Sequence, residues 1–312
     1  MSLQLSVIIS AYNEEGNIGK LIDRVREALV GFSYEIIIVD DGSFDGTADE
    51  VLSRSRADLV FVRFAKNYGQ TAALAAGIAT ASGEFCVTLD GDLQNDPSDI
   101  PAMLKYLQEN KFDMVVGWRK NRKDNAVIRK LPSKIANYLI RRLTKVKVHD
   151  LGCALKIIKA PLAKSLNLYG EMHRYISLLA FWQGAKIGEL EVKHHPRNAG
   201  KSKYGLNRTL NVISDVLFLT FSERYINKPI HFFGRIGFYV FSIGVVIGGY
   251  LLYEKILGHD IGTRPLVSLF VLFTLMGALF FVLGFVTEFL SKIYYEQRKG
   301  QIYDISEVRR FE

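Results

Sequence analysis

The chain has 312 residues, 49% of them hydrophobic, which is enough for a full α/β core with apolar sequence to spare. Its two cysteines, Cys86 and Cys153, fit a reduced compartment. The net charge is +8, but 11 Lys/Arg stand against one acid between Arg119 and Lys147. We expect this basic segment to lie against anionic headgroups or to bind a phosphate, and we expect no nucleic-acid partner.

The first two thirds of the chain alternate short β-rich runs with helical stretches. This alternation predicts an α/β fold with a mostly parallel sheet covered on both faces, in which ligands bind beyond the carboxyl ends of the strands. The predicted strands are 3–10, 34–40, 59–65, 84–90 and 112–117, and the predicted helices are Glu14–Val30, Gly46–Arg56, Gln70–Ala81 and Pro97–Asn110.

The segment "VTLDGDLQNDP" (87–97) places two aspartates just beyond an apolar run. Asp90 and Asp92 repel each other unless a cation lies between them. Carboxylate oxygens are hard ligands for Mg²⁺ or Mn²⁺, which commonly complete their shells with substrate phosphate oxygens, and Gln94 could add a carbonyl oxygen. Asp96 and Pro97 instead fit the start of a helix.

A second acidic pair, Asp40 and Asp41, follows the second predicted strand in "IVDDGS". One carboxylate could accept a hydrogen bond from a nucleobase N–H, while Gly42 lets the backbone turn sharply. A dinucleotide fold is excluded because no GxGxxG follows the first strand, and "AGKS" (199–202) lacks the first glycine of a phosphate loop.

Two long apolar segments, 236–253 and 266–290, follow the α/β part. At about 1.5 Å per residue each can cross a hydrocarbon core of about 30 Å, and the short connection predicts a transmembrane hairpin. More Lys and Arg flank the hairpin than lie within its loop, which predicts cytoplasmic termini. The start "MSLQLSVIIS" does not resemble a signal peptide. An amphipathic stretch within 205–229 predicts an interfacial helix before the first span.

Five ordered motifs resemble those of family 2 inverting glycosyltransferases with a GT-A fold. They are "SVIISAYNEEGNI", "IIIVDDGSFDGT", "NYGQTAALAAGIATASGE", "VTLDGDLQNDP" and "GWRK". More narrowly, the chain resembles polyisoprenyl-phosphate glycosyltransferases, the group that includes dolichyl-phosphate mannose synthase and the bactoprenol glucosyltransferases. The resemblance implies a catalytic domain at 1–204, an interfacial segment at 205–229, a hairpin at 230–297 and a cytoplasmic tail at 298–312.

The resemblance also implies roles for individual residues. The nucleoside pocket would involve Ala11, Tyr12, Glu14, Asp40 and Asp41, and Asp90, Asp92 and Gln94 would bind the metal and the diphosphate. Arg119, Arg129 and Ser133 match acceptor-phosphate positions, and Arg197, Ser202 and Lys203, in "RNAGKSKY", would close over the phosphates. Asp150, in "HDLGC", would orient the donor sugar or assist the acceptor, or would only bind loop amides.

The expected reaction is inverting transfer of one hexose, glucose from UDP-glucose, to undecaprenyl phosphate or a similar lipid phosphate, at the cytoplasmic face of the membrane. A phosphate acceptor is already a dianion near neutral pH, so it needs cations rather than a base. The alternatives are a processive polysaccharide synthase, which would need a QxxRW motif and more spans, and a non-catalytic scaffold that binds lipid phosphate. The GxxxG spacing at Gly244 and Gly248 could pack apolar helices within one subunit or between subunits, so a homo-oligomer is a further alternative.

Overall fold

A computed structural model describes residues 3–120, 148–196, 229–262, 264–296 and 305–311. The chain divides into two compact units. One unit comprises Met1–Val212 with Gln301–Glu312, and the other comprises Ile213–Gly300.

The larger unit is built on one sheet, with eight strands among the described residues. Its spatial order is β7-β5-β6-β4-β1-β2-β3-β8. The pairs β4–β1, β1–β2, β2–β3 and β5–β7 are parallel, whereas β6 runs antiparallel to β4 and β5, and β8 to β3. The mostly parallel sheet predicted from the sequence is therefore confirmed. The strands are β1 (Leu5–Ala11), β2 (Tyr34–Asp40), β3 (Leu59–Phe64), β4 (Phe85–Asp90), β5 (Met114–Trp118), β6 (Lys156–Lys159), β7 (Ile187–Glu191) and β8 (Ile305–Arg310).

Helices cover the sheet because their apolar faces match its buried strands. The described helices of this unit are α1 (Ile18–Ala28), α2 (Thr47–Leu52), α3 (Gln70–Thr80), α4 (Ile100–Glu109), α5 (Ala160–Ser165) and α6 (Ile176–Trp182), with 3₁₀ turns at Pro97–Asp99 and Met172–Tyr175. Ile36, Ile37 and Ile38 of β2 are fully buried, as expected for a strand covered on both faces. The alanine-rich α3 approaches the sheet so closely that a Cβ on Gly77 would lie 2.3 Å from Ile8 Cγ2.

The four predicted helices are present but shorter than their apolar patterns suggested. The helix expected from Glu14 begins at Ile18, because the residues before it make loop contacts: Glu14 N donates to Thr47 Oγ1 and Gly16 N to Glu50 Oε2. The predicted cap at Asp96 is confirmed, since its carboxylate accepts from Ser98 N and Pro97 begins the turn.

The smaller unit contains two long apolar helices, α7 (Pro229–Ile256) and α8 (Pro265–Glu296). Their mean hydropathies over the apolar stretches are 1.8 and 2.7, so both are long and apolar enough to cross a membrane, as predicted. They pack against each other through glycines. A Cβ on Gly237 would lie 3.0 Å from Gly277 O, and one on Gly244 would lie 2.7 Å from Thr274 Oγ1, so this glycine face serves packing within the chain.

Candidate functional site

Three parallel strands end side by side and bring the predicted acidic residues to one edge of the sheet. In the β1–β2 register Ala11 pairs with Asp40, and in the β1–β4 register Ser10 pairs with Asp90. The side chains that follow these strand ends therefore surround the place where α/β sheets bind ligands. Gly42 turns the chain directly after β2 with φ +72°, and a Cβ there would lie 2.5 Å from the backbone carbon of Lys66.

Asp90 and Asp92 form the acidic pair at the end of β4. Gln70 Nε2 donates a 2.6 Å hydrogen bond to Asp90 Oδ1, and Gln94 N donates to Asp92 Oδ1 at 3.2 Å. Burial, together with the neighbouring charge of Asp92, raises the pKa of Asp90 to about 6. Leu93, directly after Asp92, has φ +59°, which is unusual for a residue other than glycine.

The donor set of this pair fits a hard divalent cation. Burial, and then the repulsion between the two carboxylates, raises the pKa of Asp90, and a bound cation would relieve that repulsion. Among the residues that the structure describes, no three His, Cys, Asp or Glu side chains are arranged to bind one metal ion. Substrate phosphate oxygens would have to supply further ligands, as Mg²⁺ and Mn²⁺ sites commonly require.

Asp40 and Asp41 are both engaged in shaping the loops after β2 and β3. Asp40 is fully buried, accepts from Ser43 N at 2.9 Å and lies 3.2 Å from Arg63 Nε. Asp41 accepts from the backbone amides of Tyr68 (2.7 Å) and Gly69 (2.9 Å). Burial raises the pKa of Asp41, and these two amides partly offset the rise.

The residues predicted for a nucleoside pocket lie around this loop region. Tyr12 meets Phe44 edge to face at 6.1 Å between ring centroids, and Phe44 is 82% exposed. Glu14 accepts a 2.9 Å hydrogen bond from Asn17 Nδ2, and its charge adds to the factors that raise the pKa of Asp90. A cavity of about 400 Å³ opens nearby and is lined by Gly42, Ser43, Arg63, Phe64, Ala65, Ser306 and Glu307.

Arg119 and Asp150 form one buried ion pair. Arg119 Nε donates to Asp150 Oδ2 at 2.7 Å and Nη2 donates to Oδ1 at 3.0 Å, so the contact is bidentate. Burial alone would lower the pKa of Arg119, but the hydrogen bond to Asp150 outweighs this effect and raises it. Its positive charge also acts on Asp90. The sequence predicted separate roles for these two residues, and the structure shows that they form one ion pair.

Lys156 is a buried cation that sequence reasoning missed. It begins β6, pairs in register with Thr88 of β4, and is only 3% exposed. Its ammonium donates to the carbonyl oxygen of Cys153, and burial lowers the pKa of Lys156. The charge of Lys156 also acts on Asp90. Its signal in the sequence is a charged residue inside the apolar run "LKII", which is normally interpreted as a surface position.

Three histidines connect loops around this edge. His149 Nδ1 lies 2.7 Å from Glu189 Oε2, His173 Nδ1 lies 2.8 Å from Thr71 Oγ1, and His195 Nε2 lies 3.0 Å from Asp96 Oδ2. The hydrogen bond from His195 lowers the pKa of Asp96 to about 2 against the opposing effect of burial. The remaining predicted site residues, Arg129, Ser133, Arg197, Ser202 and Lys203, lie outside the described residues.

The family model for glycosyl transferase family 2 matches residues 6–166, which is about half of the chain and includes both acidic pairs. The chain belongs to glycosyltransferase family 2. A family 2 enzyme is a glycosyltransferase, so the enzyme class predicted from the five motifs is confirmed.

Family 2 relatives extend the similarity over nearly the whole chain. The chain is 44% identical to dodecaprenyl-phosphate galacturonate synthase of Rhizobium johnstonii, over 98% of this chain and 93% of that protein. It is 31% identical to undecaprenyl-phosphate 4-deoxy-4-formamido-L-arabinose transferase of Shewanella sediminis, over 97% of this chain and 92% of that protein.

The fold agrees with that of a solved structure. Glucosyl-3-phosphoglycerate synthase from Mycobacterium tuberculosis, solved with Mn²⁺ and UDP-glucose, superposes with a TM-score of 0.56 over 71% of this chain and 79% of that chain, at 20% identity. This likeness shows the fold, and it confirms the predicted GT-A architecture.

Proposed function

We propose that this family 2 glycosyltransferase transfers a single sugar from a nucleotide-diphosphate donor to a polyprenyl phosphate. The observation that carries the proposal is 44% identity over 98% of the chain to a dodecaprenyl-phosphate galacturonate synthase, the apolar helices included. The Shewanella sediminis relative also acts, by its name, on a polyprenyl phosphate. Both names describe the transfer of one sugar unit, which favours single transfer over processive synthesis.

The donor sugar is best sought among uronic acids first. The sequence predicted glucose from UDP-glucose, whereas the 44% identical relative is named for galacturonate. We therefore propose UDP-galacturonic acid as the first donor to test and UDP-glucose as the second. Galacturonic acid has a carboxylate where glucose has a hydroxymethyl group, and the opposite configuration at C4, so a cationic side chain near the sugar carboxylate would favour the uronic acid.

The acidic corner is proposed to bind Mg²⁺ or Mn²⁺ together with the donor diphosphate. Asp90 and Asp92 would supply carboxylate oxygens, with Gln94 beside them. When bound, the cation would neutralise the charge that develops on the departing diphosphate. Asp90 is oriented by Gln70 before any ligand arrives, so this carboxylate does not need to reorganise on binding.

The acceptor side is proposed to act without a general base. A phosphate monoester is already largely dianionic at neutral pH, so its oxygen can attack the anomeric carbon without losing a proton first. The structure supports this view because Asp150 is engaged by both Nε and Nη2 of Arg119. We propose that Arg119, with Arg129 and Ser133, positions the acceptor phosphate, and that Arg197, Ser202 and Lys203 contact the donor phosphates.

Membrane placement is proposed from the two apolar helices and from the sheet. Strand β3 precedes these helices in the chain and β8 follows them, yet the two strands pair in one sheet. This pairing supports an even number of crossings, with both termini on the same side. The surplus of Lys and Arg outside the hairpin supports the cytoplasmic side. We also propose, from the GxxxG spacing at Gly244 and Gly248, that the protein can form a homo-oligomer.

The test uses membranes that contain the full-length protein, a polyprenyl phosphate, and labelled UDP-galacturonic acid, UDP-glucose or a GDP-sugar, with and without a chelator. We expect labelled lipid from one donor, loss of label with the chelator, and recovery on adding Mn²⁺ or Mg²⁺. Asp92→Asn should abolish transfer, whereas Asp23→Asn, on the exposed face of α1, should not. Label in polymer rather than lipid would replace this proposal with processive synthesis.

A further inference from the structure

Glu189 of β7 binds the turn that carries Asp150. Its Oε1 accepts from two consecutive backbone amides, His149 N at 2.8 Å and Asp150 N at 3.0 Å. Its Oε2 lies 2.7 Å from His149 Nδ1. One side chain from a distant strand therefore fixes both the backbone of this turn and the ring that precedes Asp150.

Because the Glu189 carboxylate is largely buried, it depends on this contact for its hydrogen-bond donors. The side chain is only 12% exposed, and a carboxylate removed from water is costly unless donors surround it. Three N–H groups point at it, and hydrogen bonds to a charged acceptor are the stronger kind. The parallel β5–β7 pairing sets Glu189 beside Val116, three residues before Arg119. The sheet thus sets the position of the turn relative to the end of β5.

The same turn is attached to β5 at a second point. The imidazole of His149 stacks on the indole of Trp118, with ring centroids 4.8 Å apart and planes 21° apart. Glu189 therefore holds a ring that packs against the residue directly before Arg119. Displacing His149 would disturb Arg119 from both sides, through the Trp118 backbone and through the Asp150 carboxylate.

These contacts fix the orientation of the Arg119 guanidinium. Asp150 receives Nε and Nη2 of Arg119, and its Oδ2 also accepts from the backbone N of Arg119 at 3.3 Å. Among the residues that the structure describes, Nη1 of Arg119 has no acceptor. The side chain is 10% exposed, and its charge acts on Asp90. Arg119 therefore keeps one amino group that Asp150 does not engage, on a side chain close enough to the acidic corner for its charge to act on Asp90.

We propose that Glu189 is a positioning residue for the transfer reaction, acting through Asp150 and Arg119. It sets the orientation in which Nη1 of Arg119 meets a phosphate oxygen of the reacting molecules. The inference rests on the proposed function for the identity of those phosphates, and on the geometry for the connection itself. Glu189 does not touch substrate, so its loss should impair the positioning of the reacting groups and leave donor binding nearly unchanged.

A double-mutant cycle tests the connection. Glu189→Gln should lower kcat/KM for lipid phosphate by about 20-fold and Arg119→Ala by about 100-fold, while the double variant should fall no further than Arg119→Ala. Donor affinity, measured by calorimetry, should stay within about twofold in Glu189→Gln. The matched control is Glu191→Gln, on the same strand and face but 51% exposed and paired with Lys120 at 3.5 Å, which should retain activity. Losses that multiply in the double variant, or full activity in Glu189→Gln, would overturn the proposal.

A fluorescence measurement tests the same connection without an acceptor. The chain has two tryptophans, so Trp182→Phe leaves Trp118 as the reporter stacked on His149. In that background Glu189→Gln should change the Trp118 emission, and Asp23→Asn, on the exposed face of α1, should change it much less. Equal effects of both variants, or none, would refute the role of Glu189. If wild type made no labelled lipid but the fluorescence changed as expected, the proposed acceptor would be wrong and the connection through Glu189 would stand.

Discussion

Gln70 and Asp90 are joined by a 2.6 Å hydrogen bond from the amide nitrogen to Oδ1. The bond links the first residue of α3 to the last residue of β4, so it connects a helix start to the acidic corner. Gly69, at φ +94°, lets the chain enter α3 at the angle that presents Gln70 to this corner.

Gln70→Ala is expected to lower kcat/KM by about 10-fold, because Asp90 would lose the contact that orients it toward a divalent ion. The metal concentration that gives half-maximal activity should rise by a similar factor. Gln108→Ala, on the exposed face of α4, serves as the control. Titrating Mn²⁺ against transfer rate measures both effects, and an unchanged metal requirement would show that Gln70 has no part in the metal site.

Asp90→Asn should abolish transfer and yet stabilise the metal-free protein at alkaline pH. The pKa of Asp90 is raised from 3.8 to about 6, so the folded state binds its proton more tightly than the unfolded state does. Its charge therefore weakens the fold above pH 6, and this effect disappears as the pH falls toward 4. We expect a gain of about 2 kcal/mol at pH 8 and almost none at pH 4.

Thermal unfolding in detergent at the two pH values measures this gain. Asp23→Asn is the control because Asp23 is exposed on α1. Equal stabilisation by Asp90→Asn at both pH values would contradict the raised pKa of Asp90.

Asp150→Asn distinguishes a positioning carboxylate from a general base. The substitution leaves the Arg119 guanidinium buried without its counter-charge, which costs about 3 kcal/mol and should lower the midpoint of thermal unfolding. If Asp150 acts only by positioning, as proposed, transfer should fall in rate while the shape of its pH profile stays the same. Loss of the acidic limb of the profile in Asp150→Asn would identify it as the base instead.

Arg129→Ala is expected to raise KM for polyprenyl phosphate by about 10-fold or more and to change the donor KM by less than about twofold. The reason is the predicted assignment of Arg129 to the acceptor phosphate. Arg24→Ala, on the exposed face of α1, removes the same charge elsewhere on the surface and should leave both constants unchanged. A larger effect on the donor would move Arg129 to the nucleotide side of the site.

The central sheet could be predicted because its strands carry their own signal. The segment 34–40 is a strand with the predicted bounds, and its isoleucines are buried on both faces. Strands β6, β7 and β8 were not predicted. The four-residue β6, "IGELE" and "ISEVRR" have no long apolar run, and each depends on a neighbour distant in the chain: β6 on β4, β7 on β5, and β8 on β3.

The acidic corner could also be predicted, since Asp90 and Asp92 are unusual at a buried strand end. The residues that surround and orient this corner could not be predicted from the sequence. Gln70, Lys156 and Glu189 have ordinary local contexts, and their partners lie 20 or more residues away or are backbone atoms of a turn. Only the tertiary structure shows that Arg119 and Asp150, assigned to separate roles from their motifs, neutralise each other.

Strand β8 has a consequence for biosynthesis. In the part of the chain that the structure describes, a ribosome makes seven strands of the sheet first, then the two apolar helices, and then β8. The free edge of β3 therefore stays open to other strands for as long as the hairpin takes to be made, and an open edge is a site of intermolecular association. A nascent chain that stalls in the hairpin would expose this edge, so prompt synthesis of β8 would limit association through β3.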